Sequence, residues 1–213
     1  MWTKRDFLGK CLALPFFLLA SHAIPVKNFV SNSWANARKL LSKGYPRQEI
    51  AEMNPADVDN RNLDVDRLDT FGTMGPTDVS VDLETFRLKV TGRVDRPLSL
   101  SYDEVLKYPS LTEVVLLICP GFFANNGRWT GVSCKEFLQQ AQTKKGAEYI
   151  DIKGAQEKIT RIPLKDLDQK RVFLAYHVNG SPLPRKHGFP LRLVYEDAYG
   201  SDWVKYVDEI VVS

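Results

Sequence analysis

Apolar and polar residues alternate along much of the chain after residue 85, with the period of two that is typical of half-buried strands. Phe86, Leu88 and Val90 share one face of such a segment, which ends at Gly92. Similar or continuously apolar runs predict further strands at residues 111–118, 148–152, 160–163, 172–176, 191–195 and 204–212. These strands outnumber the helices and follow no regular strand–helix–strand order. The pattern therefore predicts an α+β fold of strand-rich mixed sheets with short interspersed helices.

The helices are predicted where a capping residue precedes a few helix-forming positions. Ser133 and Glu136 form a capping-box pattern that opens a helix over residues 134–141. Ser101 can cap a second, shorter helix that ends before Pro109, because proline disfavours a helical conformation in the residue before it.

A cysteine stands at the end of the predicted strand 111–118, directly before a Pro-Gly pair that breaks regular structure. We expect the strand to hold Cys119 firmly and residues 120–132 to form a loop. That placement suits a metal ligand or a nucleophile, and it also suits a structural residue, since free cysteine packs as a small apolar group. Cys134, in the first turn of the predicted helix, is interpreted as structural. A disulfide between the two cysteines would require an oxidising compartment.

The N-terminal segment predicts export. Residues 1–23 begin with basic residues, continue with a short apolar stretch and end with small residues, which is the order of a signal peptide. The Lys4-Arg5 pair is similar to the twin-arginine export motif, with lysine in place of the first arginine. An uncleaved N-terminal anchor is the alternative. A polar linker with short helices is expected over residues 24–65, and the main domain over residues 66–213.

Composition indicates a globular protein without a nucleic-acid partner. Of the 213 residues, 44% are hydrophobic and 26% are charged, which is typical of a soluble domain. The formal net charge is +3, but Lys4, Arg5 and Lys10 supply much of it, so the rest of the chain is nearly neutral. Nucleic-acid binding requires clustered Lys and Arg, and no such cluster is present in the sequence.

Several motifs follow one another in a specific order between Phe71 and Val212. They are the strand that ends in Cys119, then RWTGV at 128–132, LAYHVNGSPLP at 174–184, HGFPLR at 187–192, the Tyr199-Gly200 pair and the Val204-Lys205 pair. Together they resemble the molybdopterin-binding catalytic domain of the sulfite oxidase family, which also includes bacterial protein-methionine-sulfoxide reductase catalytic subunits. The resemblance implies the sulfite-oxidase-like fold.

The resemblance also implies a cofactor, a molybdenum ion held by the dithiolene of one molybdopterin and by one protein cysteine. Cys119 matches that cysteine, and a thiolate is a suitable soft ligand. The phosphate of the pterin needs cations and backbone amides. The residues that match the family's cofactor contacts, or lie beside them, are His187, Arg192, Lys205, Trp203, Val204 and Thr73. Viewed without the family, Arg192 and Lys205 would be ordinary strand residues that face solvent.

The residues after Cys119 depart from the family pattern. Sulfite oxidases carry arginines there that bind their anionic substrate, whereas this chain has the apolar stretch 120–123, whose two phenylalanines would form a rim beside the metal. Lys158 stands near the position of the family's tyrosine close to the metal. Sulfite is therefore not the expected substrate, and Arg128 and Lys158 are the candidate catalytic charges for another anionic or polar substrate.

We therefore expect an exported mononuclear molybdenum oxidoreductase that transfers an oxygen atom to or from a small-molecule, sulfoxide-like or protein-borne substrate. Neither a haem domain nor the family's C-terminal dimerisation domain is recognised. A monomer is therefore expected, with a membrane haem protein or cytochrome as redox partner. Two alternatives stay open: a thiol hydrolase with Cys119 as nucleophile and His187 or His177 as base, and a cofactor-free binding module of the same fold.

Overall fold

The computed structural model describes residues 37–154 and 158–213, so the predicted export segment at residues 1–23 lies outside the described part of the chain. The strands are β1 (Lys39–Leu40), β2 (Val58–Asp59), β3 (Leu88–Gly92), β4 (Leu98–Leu100), β5 (Ser110–Cys119), β6 (Phe123–Ser133), β7 (Tyr149–Gly154), β8 (Ile159–Pro163), β9 (Val172–Val178), β10 (Ser181–Pro182), β11 (Arg192–Tyr195) and β12 (Val207–Val212). The α-helices are α1 (Arg47–Ile50), α2 (Tyr102–Val105), α3 (Cys134–Ala141) and α4 (Asp166–Gln169). The 3₁₀ helices are Pro55–Asp57, Leu68–Thr70, Arg185–His187 and Gly200–Asp202. Among the described helices, none combines the length and the apolar content needed to cross a bilayer.

Two five-stranded sheets carry the fold. In the first, the strand order is β10-β9-β6-β5, and β11 also pairs with β9. In the second, the order is β4-β3-β12-β7-β8, in which β12 runs parallel to β3 and antiparallel to β7. This arrangement confirms the strand-rich mixed sheets with short helices that the hydrophobic pattern predicts.

The main core lies between the two sheets and α3. Phe137 of α3 is fully buried against strand residues such as Val132, Leu174 and Ile152. Burial of each such side chain contributes roughly 1.5–3 kcal/mol to folding. A second cluster, which includes Trp129, lies on the side of the first sheet where the candidate site is found.

Residues 37–65 pack in the same compact unit as the rest of the described chain. Leu41, Ile50, Val58 and Leu63 are buried against apolar residues of β5 and β6. The sequence favours a polar linker over 24–65 that is either mobile or packed on the surface, with Leu41 and Ile50 among its few apolar anchors. The part of that range described here is therefore a packed extension of the first sheet, and it includes the predicted short helix.

The region after Cys119 differs from its prediction. Residues 120–132 were expected to form a loop, but β6 spans Phe123–Ser133 and pairs with β5 along its whole length. Asn125 and Asn126, which favour turns in isolation, are buried and held by tertiary hydrogen bonds instead. Asn126 Nδ2 donates to the carbonyls of Leu63 and Asp64, and Asn60 Nδ2 donates to Asn126 Oδ1.

Other local predictions are confirmed. Helix α3 has the predicted limits, and the Ser133 hydroxyl caps it by accepting a hydrogen bond from the Lys135 amide. Asn179 and Gly180 both have positive φ and join β9 to β10, which is the backbone geometry that an Asn-Gly hairpin turn requires.

Candidate functional site

Cys119 is placed by the hairpin of β5 and β6. It is the last residue of β5 and pairs with Phe123, the first residue of β6. In the turn between them, the Phe122 amide donates to the Cys119 carbonyl at 3.0 Å. The Cys119 side chain is partly exposed, and its Sγ lies 3.9 Å from the Sδ of Met74. Partial burial raises the pKa of the Cys119 thiol.

The two described cysteines have different environments. Both are free thiols, so the structure contains no disulfide between Cys119 and Cys134. Cys134 is fully buried in the first turn of α3, and burial raises its pKa to about 12. Cys134 is therefore structural, as the sequence predicts, whereas Cys119 faces a cavity.

That cavity has a volume of about 390 Å³, within the range of small-molecule and cofactor sites. Its polar lining includes three cationic side chains, and among the described residues that line it there is no carboxylate. The lining residues are Gly72, Thr73, Met74, Gly75, Pro76, Leu117, Cys119, Pro120, Phe123, Lys158, Arg192, Gly200, Ser201, Trp203, Val204, Lys205 and Tyr206.

Arg192 is the most buried of the cations, with 6% of its surface exposed. It begins β11, and its guanidinium lies 5.7 and 5.8 Å from the ring centroids of Trp129 and Trp203. Its Nη1 donates to the His187 carbonyl at 3.0 Å, while its Nε has no hydrogen-bond partner within the described residues. Burial lowers the pKa of Arg192 to about 10.

His187 lies directly behind Arg192 and is 1% exposed. Its ring packs edge-on against Phe71, and its Nε2 also lacks a partner in the described part of the chain. Burial, together with the positive charges of Arg192, Lys186 and Lys205, lowers its pKa to about 4. His187 is therefore a neutral imidazole at pH 7.

Lys205 completes the cationic wall. Its Nζ donates to the carbonyls of Pro76, at 2.5 Å, and Lys186, at 3.0 Å, and to the Thr73 hydroxyl at 3.3 Å. Burial, and secondarily the charge of Arg192, lowers its pKa to about 8. Gly188 allows this packing, because it has a φ of 109° and a Cβ there would come within 2.9 Å of Lys205 Cβ.

The structure brings most of the predicted site residues together. Those that line the cavity are Cys119, Lys158, Arg192, Lys205, Trp203, Val204 and Thr73. His187 lies outside the lining, but it contacts Arg192 through its carbonyl. Arg128 is separate from the cavity, since it is exposed in the middle of β6 and pairs with Val114.

The apolar rim predicted beside Cys119 is formed in part. Phe123 lines the cavity, whereas Phe122 is 65% exposed and does not. Met74 and Tyr206 were missed by sequence reasoning, although both line the cavity. Met74 belongs to a Gly- and Pro-containing loop whose composition predicts only irregular structure. Tyr206 falls within the predicted strand 204–212 and has no feature that distinguishes it from an ordinary strand residue.

The donor set fits a large anionic group. Two buried nitrogens, Arg192 Nε and His187 Nε2, find no partner among residues 37–154 and 158–213, although buried polar groups are almost always satisfied. Burial first, and then the positive charge of Arg192, lower the pKa values of His187 and Lys205, and no described carboxylate lines the cavity to balance that charge. A bound phosphate-bearing group would satisfy the free donors and neutralise this repulsion. Cys119 supplies the soft ligand at the other side of the same cavity.

Comparison with known proteins gives a consistent result. The family model described as "Oxidoreductase molybdopterin binding domain" matches residues 74–213. The chain is 33% identical to the uncharacterized oxidoreductase YuiH of Bacillus subtilis over 55% of its length and 60% of the relative's. It is 29% identical to the putative protein-methionine-sulfoxide reductase subunit YedZ1 of Azospira oryzae, over 62% of this chain and 51% of that one.

More distant relatives share the same region. Mitochondrial sulfite oxidase of Rattus norvegicus is 31% identical over 62% of this chain, which corresponds to 30% of the enzyme. The chain thus spans between about a third and three fifths of the length of these three relatives. Among solved structures, sulfane dehydrogenase SoxCD of Paracoccus pantotrophus superposes with a TM-score of 0.61 at 23% identity, over 67% of this chain and 44% of that one. This last likeness shows a shared fold.

Proposed function

Because the chain belongs to the family of oxidoreductase molybdopterin-binding domains, we propose that it is an exported mononuclear molybdenum enzyme that catalyses oxygen-atom transfer. Membership of the family confirms the oxidoreductase class and the molybdenum–molybdopterin cofactor that the motifs predicted. The substrate, the partner and the export route belong to the proposal. The observation that carries it is a cavity lined by Cys119 and by Arg192, whose buried Nε has no hydrogen-bond partner within the described residues.

Different residues of this chain would hold different parts of the cofactor. Cys119 Sγ would hold molybdenum as a thiolate, since a coordinating thiol is deprotonated even where burial raises its pKa. Arg192 Nε would donate to the anionic end of the cofactor, and His187 Nε2 would do so in the tautomer that carries its proton there. Lys205 adds positive charge, and Val204 and Trp203 add the adjoining wall.

The bound cofactor would supply the two-electron change at molybdenum that accompanies oxygen-atom transfer. The chain would supply an environment that is apolar around Cys119, because Leu117, Pro120 and Phe123 line the cavity there. Such walls limit access of water and strengthen the electrostatic interactions inside. Lys158, exposed at the cavity, would attract an anionic substrate or the polarised oxygen of a sulfoxide-like one.

The substrate is proposed to differ from sulfite. The turn after Cys119 carries Pro120, Gly121 and Phe122 instead of arginines, so Lys158 is the remaining candidate charge at the cavity for a small anion or a polar oxygen. Lys158 and the apolar walls around Cys119 suit a small-molecule or sulfoxide-like substrate, either free or protein-borne. Arg128 lies in the middle of β6, and its catalytic role stays a prediction from the sequence.

Export and the redox partner follow from the sequence rather than from the fold. The signal-like residues 1–23 support a periplasmic location, with or without an N-terminal anchor. The single-electron partner is proposed to be a membrane haem protein or cytochrome. A nearly neutral body suits a weak, transient contact with that partner.

The hydrolase alternative is not favoured by the geometry. Within the described residues, Cys119 Sγ has Met74 Sδ as its hydrogen-bonding neighbour and no base. Neither His177 nor His187 lines the cavity. A thiol nucleophile needs a lowered pKa or an adjacent base, and burial raises the pKa of Cys119 instead.

Metal analysis tests the proposal. The full chain is purified from cells grown with molybdate, and molybdenum and pterin fluorescence after denaturation are measured for the wild type and for Cys119→Ser. We expect molybdenum and pterin in the wild type. Their absence from folded wild-type protein would reject the proposal. Bound molybdenum that never changes redox state with any electron donor would instead favour a binding module.

A further inference from the structure

One wall of the cavity is a short strap, which we define as residues 73–76. It belongs to the segment 71–87, which connects the 3₁₀ helix Leu68–Thr70 to β3 without a helix or a strand. Irregular segments of this length are uncommon in compact domains and often have a binding function. The strap therefore needs specific contacts to hold it over the cavity.

The strap is fixed at its first end by Asn125 of β6. The Gly72 amide donates to Asn125 Oδ1, and Asn125 Nδ2 donates to the Gly72 carbonyl, both at 2.9 Å. Gly72 also packs so closely on the Phe123 ring that a Cβ would lie 2.3 Å from it. The buried Phe71 precedes this anchor. The start of the strap is thus attached to the same hairpin that carries Cys119.

The other end of the strap is held by two consecutive residues, Lys205 and Tyr206. Lys205 Nζ donates to the Pro76 carbonyl and to the Thr73 hydroxyl, and the Tyr206 hydroxyl donates to the same Pro76 carbonyl at 3.2 Å. The Thr73 hydroxyl in turn donates to the Lys186 carbonyl at 3.2 Å. Tyr206 has a φ of 56°, a conformation that is costly for a bulky residue and is characteristic of functional sites.

This attachment uses all three Nζ protons of Lys205, since the Lys186 carbonyl accepts the third. Lys205 therefore differs from Arg192, whose Nε has no partner among the described residues. The unpaired donors available to an anionic cofactor are Arg192 Nε and His187 Nε2. Lys205, as it stands, is a positioning residue whose hydrogen bonds hold the strap.

Held in this way, the strap places Met74 at Cys119. The Met74 Sδ lies 3.9 Å from Cys119 Sγ, and the side chain is 48% exposed, so it covers the thiol from the solvent side. A thioether on three rotatable bonds forms an apolar but adaptable cover. A molecule that approaches the Cys119 sulfur from this side must pass Met74.

We propose that Lys205 and Tyr206 hold the strap over Cys119, so that Met74 limits the size of the molecule that reaches the metal ligand. The size limit on substrate rests on the proposed function, because it assumes chemistry at Cys119. The attachment of the strap does not. Met74 thereby becomes a specificity-determining residue of this chain, and Lys205 and Tyr206 are the residues that position it.

Alkylation of Cys119 with two reagents of different size tests the proposal. Iodoacetamide and its N-phenyl derivative share one reactive group and are both neutral, so the ratio of their rates cancels any change in the thiol pKa. The full chain is purified from cells that do not make the cofactor, and modification is followed at Cys119 by peptide mass spectrometry. The buried Cys134 serves as an internal control for unfolding.

Three variants should raise the ratio of the large to the small reagent. Lys205→Met removes the ammonium that holds the strap, and we expect an increase of about tenfold, since it deletes the two hydrogen bonds from Nζ to Thr73 and Pro76. Tyr206→Phe deletes one of the two bonds to Pro76, and about threefold is expected. Met74→Ala should bring the two rates close together. Lys186→Ala keeps its backbone carbonyl and is the matched control, with the ratio of the wild type.

Each contrary result has a definite meaning. An unchanged ratio in folded Lys205→Met would show that Lys205 does not hold the strap. An unchanged ratio in Met74→Ala would show that Met74 is not the cover, and either result overturns the proposal. If Lys205→Met fails to fold, the double variant Thr73→Val with Tyr206→Phe makes the same test. These rates are measured without cofactor, so they stand whether or not the wild type later proves to bind molybdenum.

Discussion

Arg171 directly precedes β9 and Arg192 begins β11, its neighbour in the first sheet, and the surroundings of the two arginines are opposite. Arg171 Nη2 donates to Glu196 at 2.5 Å and Nη1 to Glu113 at 3.5 Å. The hydrogen bond to Glu196 is the main reason that the pKa of Arg171 is raised. Arg192 is more deeply buried, makes no ion pair with any described carboxylate, and has a lowered pKa.

This difference indicates that the charge of Arg171 stabilises the fold, whereas the charge of Arg192 serves to bind a ligand. A buried charge without a partner costs free energy, and a folded protein retains it where function requires it. Arg171 has its partners within the chain. Arg192 contacts tryptophan rings and one carbonyl, its Nε has no partner among the described residues, and it lines the cavity, so we expect a bound ligand to be its partner.

The largest expected effect is on cofactor retention. Arg192→Met removes the buried donor, and the molybdenum content of the purified full chain should fall by about a hundredfold, the equivalent of losing one strong charge-assisted hydrogen bond. Arg171→Met is the matched control and should keep molybdenum in its folded fraction. Equal losses in the two variants would remove the distinction between the two arginines.

The next effect is on stability. Arg171→Met leaves Glu196 half-buried without its partner, and the free energy of unfolding should decrease by about 3 kcal/mol. Urea unfolding followed by circular dichroism measures the change. The double variant Arg171→Met with Glu196→Gln should recover part of the loss. A single variant as stable as the wild type would show that Arg171 is not a structural pair.

A pH effect of His187 should follow. Its pKa in the folded protein is about 4, below the ordinary 6.5, so between these values the unfolded chain binds a proton that the folded protein does not. Stability therefore falls as pH decreases through this window, by about 3 kcal/mol at pH 4 for this group. In cofactor-free protein, His187→Asn should lack that part of the decrease, which parallel urea titrations at pH 7 and pH 4 would detect. Parallel curves for the two proteins would contradict the buried, unpaired environment.

The smallest effect should be that of Arg192→Met on the stability of cofactor-free protein. The variant loses the bond to the His187 carbonyl but no longer buries an unpaired charge. We expect a free energy of unfolding within about 1 kcal/mol of the wild type, because the two contributions oppose each other. A loss as large as that of Arg171→Met would indicate that Arg192 also serves mainly to hold the fold.

Local patterns were sufficient to predict part of the molecule. The limits of α3 and the position of Cys119 at a strand end depend on capping residues, apolar period and a breaker pair, all of which lie within a few residues of one another. The family motifs then identified Arg192 and Lys205 as cofactor contacts, and both line the cavity.

The features that sequence reasoning missed depend on distant partners. Asn125 and Asn126 favour a turn locally, but bonds to residues 60–72 make them part of β6. The strap over Cys119 depends on Lys205 and Tyr206, far along the chain. The sequence also does not reveal that Arg192 lacks an ion pair with any described carboxylate, because this depends on where the carboxylates lie in space.

The measurement that tests the central claim most directly is X-ray absorption at the molybdenum edge, on the wild type beside Cys119→Ser. If Cys119 is the protein ligand, molybdenum bound to the wild type has one more sulfur ligand than molybdenum bound to the Cys119→Ser variant. Molybdenum in both proteins with the same number of sulfur ligands would contradict the account.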